Sequence, residues 1–390
     1  ITVTQTGSVT LDRLAASTIN VTVTGAGAET TVNNLTAGTS GSTKLTTSGK
    51  ITGASGNKVS TGTLTIDAGG DVGSSASHLK TDTSSLSITN TGGFFIDNNR
   101  HLTGLTINNK HSGTTPNSFL LTSPDLAFAL QDNGGYQLNT VNQSALHFSF
   151  TGDRTITVGD VALGTGTLAL TSTAGNIYGT TGGLLNANQV TLSAAGSDGR
   201  NGAIGSSAQA LRMQTVGLTA TSGTGGIYVN GLGSLNLKAI DTTGNLAIQT
   251  TATLTLGDIK AGGAAALTSM LGSIVDDGND ATSISTSSLT LSAAQGIIGS
   301  AARALKTNAS TLSVTAGASG VYLDSASANL NITQAQANGG PVTITGAGSV
   351  SANNVSSGGG AINLTGNSIA AGQINAGAGN VTLTARAGSI

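Results

Sequence analysis

The sequence predicts an all-β protein, a right-handed parallel β-helix (β-solenoid) with coils of roughly 20 residues. Three observations support this prediction. Apolar residues recur on alternate positions in short stretches, these stretches end at Gly or Asn, and the same series of motifs returns along the chain. Alternation with period two is typical of half-buried strands, and repetition of motifs is typical of stacked units.

The composition limits the kind of core that the chain can build. The chain has 390 residues, with 58 Gly and no Cys. Charged residues make up 8% of it, against roughly 25% in ordinary domains. Aromatic residues make up 3%, so large rings cannot fill a wide core. We therefore expect a narrow core of Val, Ile, Leu and Ala, stabilised by the stacking of coils rather than by disulfides.

The alternating stretches are the predicted strands. Each has apolar residues two positions apart, with Thr, Ser, Asn or Ala between them; examples are Val21/Val23, Leu64/Ile66, Leu168/Leu170, Leu246/Ile248 and Val342/Ile344. No stretch has a helical period of useful length, so helices are not expected.

A short motif occurs four times and divides the chain. It consists of Leu-Thr, a turn closed by Gly, and an Ile that opens the next strand; the Ile residues are Ile51, Ile177, Ile274 and Ile390. Their intervals of 126, 97 and 116 residues define long repeat units at about 45–169, 170–266 and 267–382. We expect one continuous solenoid over 1–390. Because the chain opens inside a strand and stops where another coil would begin, we expect a fragment of a longer solenoid.

A second series of motifs recurs three times inside these units. A strand is followed by a small-residue segment that begins with Gly and contains Leu followed by Lys or Arg; the segments are Gly73–Thr81, Gly205–Met213 and Gly299–Thr307. Another strand and then Phe-Phe-Ile, Ile-Tyr-Val or Val-Tyr-Leu follow each segment. A β-sandwich would share the strand spacing but would not repeat this order. A parallel β-helix does repeat it, because each coil stacks on the previous one.

One region departs from the repeats. Residues 97–155 hold three of the four His and five of the ten aromatic residues. They form either an insertion or widened coil that binds a ligand, or degenerate coils whose Phe side chains stack inside the solenoid. For the first alternative the candidate ligand-binding residues are Arg100, His101, Tyr136 and Arg154, because aromatic and guanidinium groups supply stacking and bidentate contacts.

The densest acidic cluster is a candidate cation site. Asp276, Asp277 and Asp280 offer the oxygen ligands that calcium prefers. Their spacing does not match an EF-hand, and the alternative is a solvated loop that closes a coil. The four His are scattered without the spacing of metal ligands, and we expect no cofactor.

The Gly/Ser/Thr/Asn-rich coils and the Leu-Thr-x-x-x-Gly-x-Ile units resemble the central repeat rod of filamentous-haemagglutinin-like adhesins, which are large exoproteins of two-partner secretion. The family's Asn-Pro-Asn secretion motif does not occur in the sequence. The resemblance implies a β-helical rod, secretion to the bacterial surface with an outer-membrane transporter as partner, and adhesion through polysaccharide or host-cell glycans.

Composition and resemblance together predict an adhesive or structural rod and not an enzyme. The rod would attach to cells, surfaces or biofilm exopolysaccharide. A polysaccharide lyase or hydrolase with a β-helix fold is the alternative, but it needs clustered carboxylates, and the chain has a single Glu, Glu29. An ice-binding solenoid is a further alternative, which would need Thr-x-Thr pairs aligned on one flat face. The formal net charge of −2 argues against nucleic acid as a partner. Apolar runs stay well short of the ~18 residues that indicate a membrane-spanning helix.

Overall fold

The computed structural model describes residues 1–110, 116–196, 201–281 and 283–390. Across these residues the protein is all-β without a helix, and its parallel strands stack into a β-solenoid of about 18 turns of roughly 21 residues. The predicted fold class is therefore confirmed. The chain divides into two compact units, Ile1–Gln189 and Val190–Ile390, which are described separately below as unit 1 and unit 2.

The strands of unit 1 are short apart from two of 18 residues. They are β1 (Thr2–Thr6), β2 (Val9–Ala15), β3 (Thr18–Thr24), β4 (Thr30–Thr47), β5 (Ile51–Ala68), β6 (Leu79–Asp82), β7 (Ser85–Asn90), β8 (Phe94–Asn98), β9 (Gly104–Asn109), β10 (Phe119–Thr122), β11 (Ala127–Asp132), β12 (Tyr136–Asn142), β13 (His147–Gly152), β14 (Ile156–Ala162), β15 (Thr167–Ser172), β16 (Ile177–Gly179) and β17 (Leu185–Asn186).

The two long strands show how a coil is built. The first half of β4 pairs in parallel with β2, and its second half pairs in parallel with β3. One strand thus supplies two sides of a coil, and it bends at Gly38, whose φ is +77°. Glycine tolerates this left-handed conformation, which side chains with a Cβ rarely adopt.

The irregular segment 97–155 contains an antiparallel strand. Strand β10 pairs in parallel with β8, but β11 pairs antiparallel with β12, and β12 is again parallel to β14. A tight turn at Ser123–Leu126 reverses the chain between β10 and β11. Residues 111–115 of this segment, His111 among them, lie outside the described residues.

Aromatic rings fill the interior beside the antiparallel strand. Phe94 contacts Phe119 at 5.0 Å and Phe128 at 6.3 Å between ring centroids, and Phe128 contacts Phe148 at 6.3 Å. Tyr136 packs edge-on against Phe150 at 5.1 Å. The rings thus replace the aliphatic side chains that fill the other coils, and edge-on or offset contacts of this kind are favourable.

Ala145 offers a simple test of backbone strain in this region. Its φ is +61°, a left-handed conformation that costs a residue with a Cβ roughly 1–2 kcal/mol. We expect Ala145→Gly to raise the free energy of unfolding by about 0.5–1 kcal/mol, because part of this gain is lost to the greater freedom of Gly in the unfolded chain. Thermal unfolding of the two proteins measures the effect. Ala169→Gly, in strand β15, is the control and should lower stability; a lower midpoint for Ala145→Gly would contradict the strain.

The strands of unit 2 are more regular. They are β18 (Gln189–Ala194), β19 (Leu211–Gln214), β20 (Gly217–Ser222), β21 (Ile227–Gly231), β22 (Leu235–Thr242), β23 (Leu246–Thr250), β24 (Leu254–Ala261), β25 (Ala264–Ser269), β26 (Ile274–Asp276), β27 (Ile284–Ser285), β28 (Ser288–Ala293), β29 (Leu305–Thr307), β30 (Thr311–Ala316), β31 (Val321–Ser325), β32 (Asn329–Ala337), β33 (Val342–Gly346), β34 (Ser349–Ser357), β35 (Ile362–Gly366), β36 (Ile369–Asn375) and β37 (Val381–Ala385).

Successive strands of unit 2 alternate between two sheets. Sheet I contains β18, β20, β22, β24, β26, β27, β29, β31, β33, β35 and β37, and sheet II contains β19, β21, β23, β25, β28, β30, β32, β34 and β36. Inward positions form continuous apolar rows: Ile227 stacks on Leu246, which stacks on Ala265, and each is at most 1% exposed. The core therefore lies between the sheets, and alternate residues point outward from each of them.

Buried hydroxyls close the corners of the coils. Thr250 Oγ1 and Ser269 Oγ both donate to the carbonyl oxygen of Ala252, over 2.6 and 2.7 Å. These side chains replace backbone hydrogen bonds that the chain cannot make where it turns between sheets. The Thr and Ser content of the sequence is thus partly a requirement of the corners.

Candidate functional site

The candidate functional site is a shallow groove of about 460 Å³ on the outward side of sheet II. The outward side chains of β21, β23 and β25 form its floor and one edge, and the loop 206–210 forms the other edge. We call it the Tyr228 groove. Among the described residues that line it, none carries a charged side chain.

A tight loop before β19 forms one edge of the groove. Gly205, at φ +64°, directs the chain outward, and Tyr228 N donates to Ile204 O over 2.8 Å on the neighbouring coil. The loop is closed by two backbone hydrogen bonds, from Ser206 N to Gln209 O at 2.9 Å and from Gln209 N to Ser206 O at 3.1 Å. The loop is therefore held in place beside Tyr228.

The Tyr228 ring stands next to a floor of small side chains. Tyr228 is directly opposite Ala247 on β23, which is directly opposite Ala266 on β25. The ring is partly exposed, whereas its neighbours Ile227 and Val229 point into the core. Because the two Ala side chains are short, the ring has open space beside it along the direction in which the coils stack.

Polar side chains form a second row parallel to the first. Asn230, Gln249 and Thr268 lie opposite one another on β21, β23 and β25. Adjacent strands are ~4.8 Å apart, so the row presents an amide or hydroxyl group at each such step. The amide nitrogen of Gln249 donates to the Met270 sulfur, a weak acceptor, over 2.9 Å.

The groove can bind an uncharged ligand with many hydroxyl groups. The Tyr ring offers a flat apolar face, and the amide and hydroxyl groups both donate and accept hydrogen bonds. A strongly charged ligand would lose its hydration without gaining a counter-charge from the lining.

A second groove, of about 370 Å³, lies on the outward side of sheet I. It is lined by Asp241, Asp258 and Lys260, together with Thr221 and Ser285. Asp241 lies opposite Lys260 in the register of β22 and β24. Its two carboxylates, Asp241 and Asp258, are of the residue type that a polysaccharide-cleaving enzyme would need.

The sequence-predicted residues Arg100 and His101 contact other side chains of unit 1. The Arg100 guanidinium binds Asp82 at 2.8 Å. The His101 ring lies 3.2 Å from the Gln143 amide nitrogen and 3.8 Å from an Asp125 carboxylate oxygen. The Arg100 guanidinium and the His101 ring therefore both make contacts within unit 1.

Tyr136 is buried in unit 1, and Arg154, which is partly exposed, binds a buried carboxylate. Tyr136 is 0% exposed, and its hydroxyl lies 3.0 Å from an oxygen of Asp153 and from two oxygens of Asn109. Arg154 reaches the carboxylate of Asp132 at 3.3 Å, and the Asp132 side chain is fully buried. Tyr136 therefore offers no surface to a ligand; its burial follows from its position on the inward side of β12.

The acidic cluster of unit 2 is bound by basic side chains. The Arg303 guanidinium lies 3.5 Å from Asp276 and 3.0 Å from Asp280, and Lys306 donates to the Asp280 carbonyl oxygen. Asp277 accepts a hydrogen bond from the Asn279 backbone within its own turn. Across the described residues no group of three or more acidic or His side chains is arranged to hold a metal ion.

Sequence reasoning did not single out Tyr228, although the signal for its outward position was present. In Ile227-Tyr228-Val229 the flanking residues are apolar, so a strand that buries them turns the Tyr outward. The aromatic residues of 97–155 drew attention because they are numerous, but most of them serve the core.

No helix within the described residues is both long and apolar enough to cross a lipid bilayer. The chain matches no protein-family model, no curated protein and no solved structure.

Proposed function

We propose that this chain is a structural and adhesive segment of a secreted bacterial surface protein, and that it binds extended polysaccharide through the Tyr228 groove. The observation that supports adhesion most directly is the partly exposed Tyr228 ring beside an uncharged row of amide and hydroxyl groups. The solenoid itself fits a structural rod. Secretion through an outer-membrane transporter is part of the proposal and rests on the resemblance of the repeats to filamentous-haemagglutinin-like rods.

The spacing of the strands suits a polymer of sugars. A pyranose residue in an extended chain is about as long as the distance between adjacent strands, ~4.8 Å. A polysaccharide lying across β21, β23 and β25 would thus present one sugar to each strand. Its apolar ring face would stack on Tyr228, and its hydroxyls would meet Asn230, Gln249 and Thr268. Each contact is weak, and repetition along a polymer raises the overall affinity.

Affinity electrophoresis of the full chain through gels containing a soluble polysaccharide tests this proposal. Suitable probes are hydroxyethyl cellulose, a polymer of N-acetylglucosamine, and alginate as the anionic comparison. We expect at least one neutral polymer to retard the protein and alginate to have a smaller effect, because the lining of the groove is uncharged. Tyr228→Ala should weaken the retardation constant about tenfold, which corresponds to about 1.4 kcal/mol.

Tyr228→Phe is the matched control, because it keeps the ring and removes only the hydroxyl. It should stay close to the wild-type protein if ring stacking is the main contact. Equal retardation of the wild-type protein and Tyr228→Ala would place binding elsewhere, and no retardation by any polymer would contradict the adhesive role. We further propose that the bound polymer is not cleaved; chain shortening that is lost in Asp258→Asn would instead support the enzymatic alternative at the second groove.

A further inference from the structure

The surroundings of Tyr228 recur at Tyr322, in the next copy of the repeated motif. There, Ser300 N donates to Arg303 O over 2.8 Å, and Arg303 N donates to Ser300 O over 3.1 Å. Tyr322 N donates to Ile298 O over 2.8 Å, the same distance as from Tyr228 N to Ile204 O. Gly299 has a φ of +66°, against +64° for Gly205. The two loops and the Tyr residues beside them therefore have the same backbone arrangement.

The two Tyr residues lie on opposite sheets of unit 2. Tyr228 is in β21 of sheet II, and Tyr322 is in β31 of sheet I. They are 94 positions apart, which is about four and a half turns at roughly 21 residues per turn. The half turn moves the second copy to the other sheet. Because the core lies between the sheets, the two outward rings face away from each other.

The side chains next to Tyr322 also provide hydrogen-bonding groups. Thr343 and Asn363 continue the row of the Tyr322 ring on β33 and β35. Their side chains are 3.4 Å apart, from Asn363 Nδ2 to Thr343 Oγ1. Asp324 and Thr345 form the parallel second row. The partly exposed ring thus has hydroxyl, amide and carboxylate groups beside it, all of which bind sugar hydroxyls.

The basic residues of this loop are bound to the acidic cluster. Arg303 contacts Asp276 and Asp280, and Lys306 contacts the Asp280 backbone. Arg303 is paired with two carboxylates, and the Asp324 carboxylate lies in the second row beside the ring. Both features disfavour a polyanion at Tyr322 and favour the same uncharged class of ligand as at Tyr228.

We propose that unit 2 has a second polysaccharide-binding site at Tyr322, so that it binds two polymer strands on opposite sides and cross-links them. This inference rests on the proposed function, because both sites need the same class of ligand. Two sites that face apart cannot both contact one straight segment of polymer. Their combined effect is therefore to join separate strands rather than to strengthen the binding of one.

The viscosity of a dilute polysaccharide solution separates cross-linking from binding. The probe is the neutral polymer that retards the full chain in affinity electrophoresis, and both measurements use the same preparations. The wild-type protein should raise the viscosity well above that of polymer alone. Tyr322→Ala and Tyr228→Ala should each lower this increase by more than half while some retardation remains, and the double variant should lose most of both effects. Tyr322→Phe, which keeps the ring, should behave like the wild-type protein.

The outcomes distinguish the two proposals. If no neutral polymer retards the wild-type protein, both the proposed function and the second site are wrong. If the polymer retards the protein but Tyr322→Ala raises the viscosity as much as the wild-type protein does, only the second site is wrong. Circular dichroism of each variant shows whether the β-structure is retained; if Tyr322→Ala unfolds, Thr343→Val, which removes a hydroxyl from the same row and keeps the size of the side chain, takes its place with the same expected loss.

Discussion

Replacing Arg154 with Met is expected to lower the local stability of unit 1 by about 2–3 kcal/mol, which is less than the cost of breaking a fully buried ion pair because the Arg154 side chain is 26% exposed. The Asp132 side chain is fully buried, and the Arg154 guanidinium lies 3.3 Å from its carboxylate. Asp132 also accepts a hydrogen bond from Asn117 N at 3.2 Å, which ties the start of the β10 region to β11. Without the guanidinium, a carboxylate shielded from water loses a counter-charge.

Hydrogen exchange measured by mass spectrometry checks this prediction. Long repeat structures often unfold in parts, so the free energy of local opening is a better measure than a single melting temperature. Faster exchange is expected in peptides from β11 to β14. Arg13→Met, which removes an exposed Arg of β2, is the control and should change exchange little. Asp132→Asn combined with Arg154→Met should recover part of the loss; protection equal to wild type in Arg154→Met alone would show that the pair contributes little.

The Arg154 pair shows where sequence reasoning stops. Arg100 and Arg154 were candidate ligand-binding residues, but Arg100 contacts Asp82 and Arg154 contacts Asp132. These partners are 18 and 22 positions away, about one coil. Because the coil length varies from turn to turn, the sequence does not show which residues of one coil lie beside which residues of the next.

The strands themselves could be predicted because buried and outward residues alternate with a period of two in parallel and antiparallel sheets alike. Leu246 and Ile248 alternate in the sequence, and both are buried in β23. The direction of a strand does not change this period. For that reason the antiparallel strand β11 was not foreseen, although the turn before it contains Pro124 and Asp125, and Asp125 has a φ of +61°. Pro followed by Asp is a common turn sequence, but it does not specify which strand the chain pairs with afterwards.

The position of Tyr228 was also contained in the sequence, but its surroundings were not. Apolar neighbours on both sides place the ring outward. The small side chains of Ala247 and Ala266 lie beside the ring because of the register between β21, β23 and β25, and this register is known only from the structure. The Gly that opens each repeated loop, Gly205 in this copy, was in contrast recognised from the sequence.

Gly205→Ala is expected to distort the loop beside Tyr228 and to reduce both stability and polysaccharide binding. A Cβ at Gly205 would lie 2.3 Å from Tyr228 O and 2.9 Å from Leu211 N, both backbone atoms that cannot rotate away. The left-handed φ alone costs roughly 1–2 kcal/mol, and the overlap adds the cost of moving two strands apart. We expect local opening of β19 and β21 to become easier by about 2–4 kcal/mol, and the affinity for the polymer to fall although Tyr228 is unchanged.

Gly377→Ala separates the effect of φ from that of the overlap. Gly377 has a φ of +59°, but its nearest atom would be 3.3 Å from the added Cβ, so the substitution should cost mainly the left-handed conformation. Hydrogen exchange measures the stability effect, in peptides covering β19 and β21 for Gly205→Ala and in peptides covering β36 and β37 for Gly377→Ala. Affinity electrophoresis measures the effect on binding. Equal effects of the two substitutions on stability would mean that the loop moves to relieve the overlap at little cost. Wild-type binding by Gly205→Ala would mean that the loop does not shape the groove, because the Tyr228 strand is the element that the new methyl group displaces.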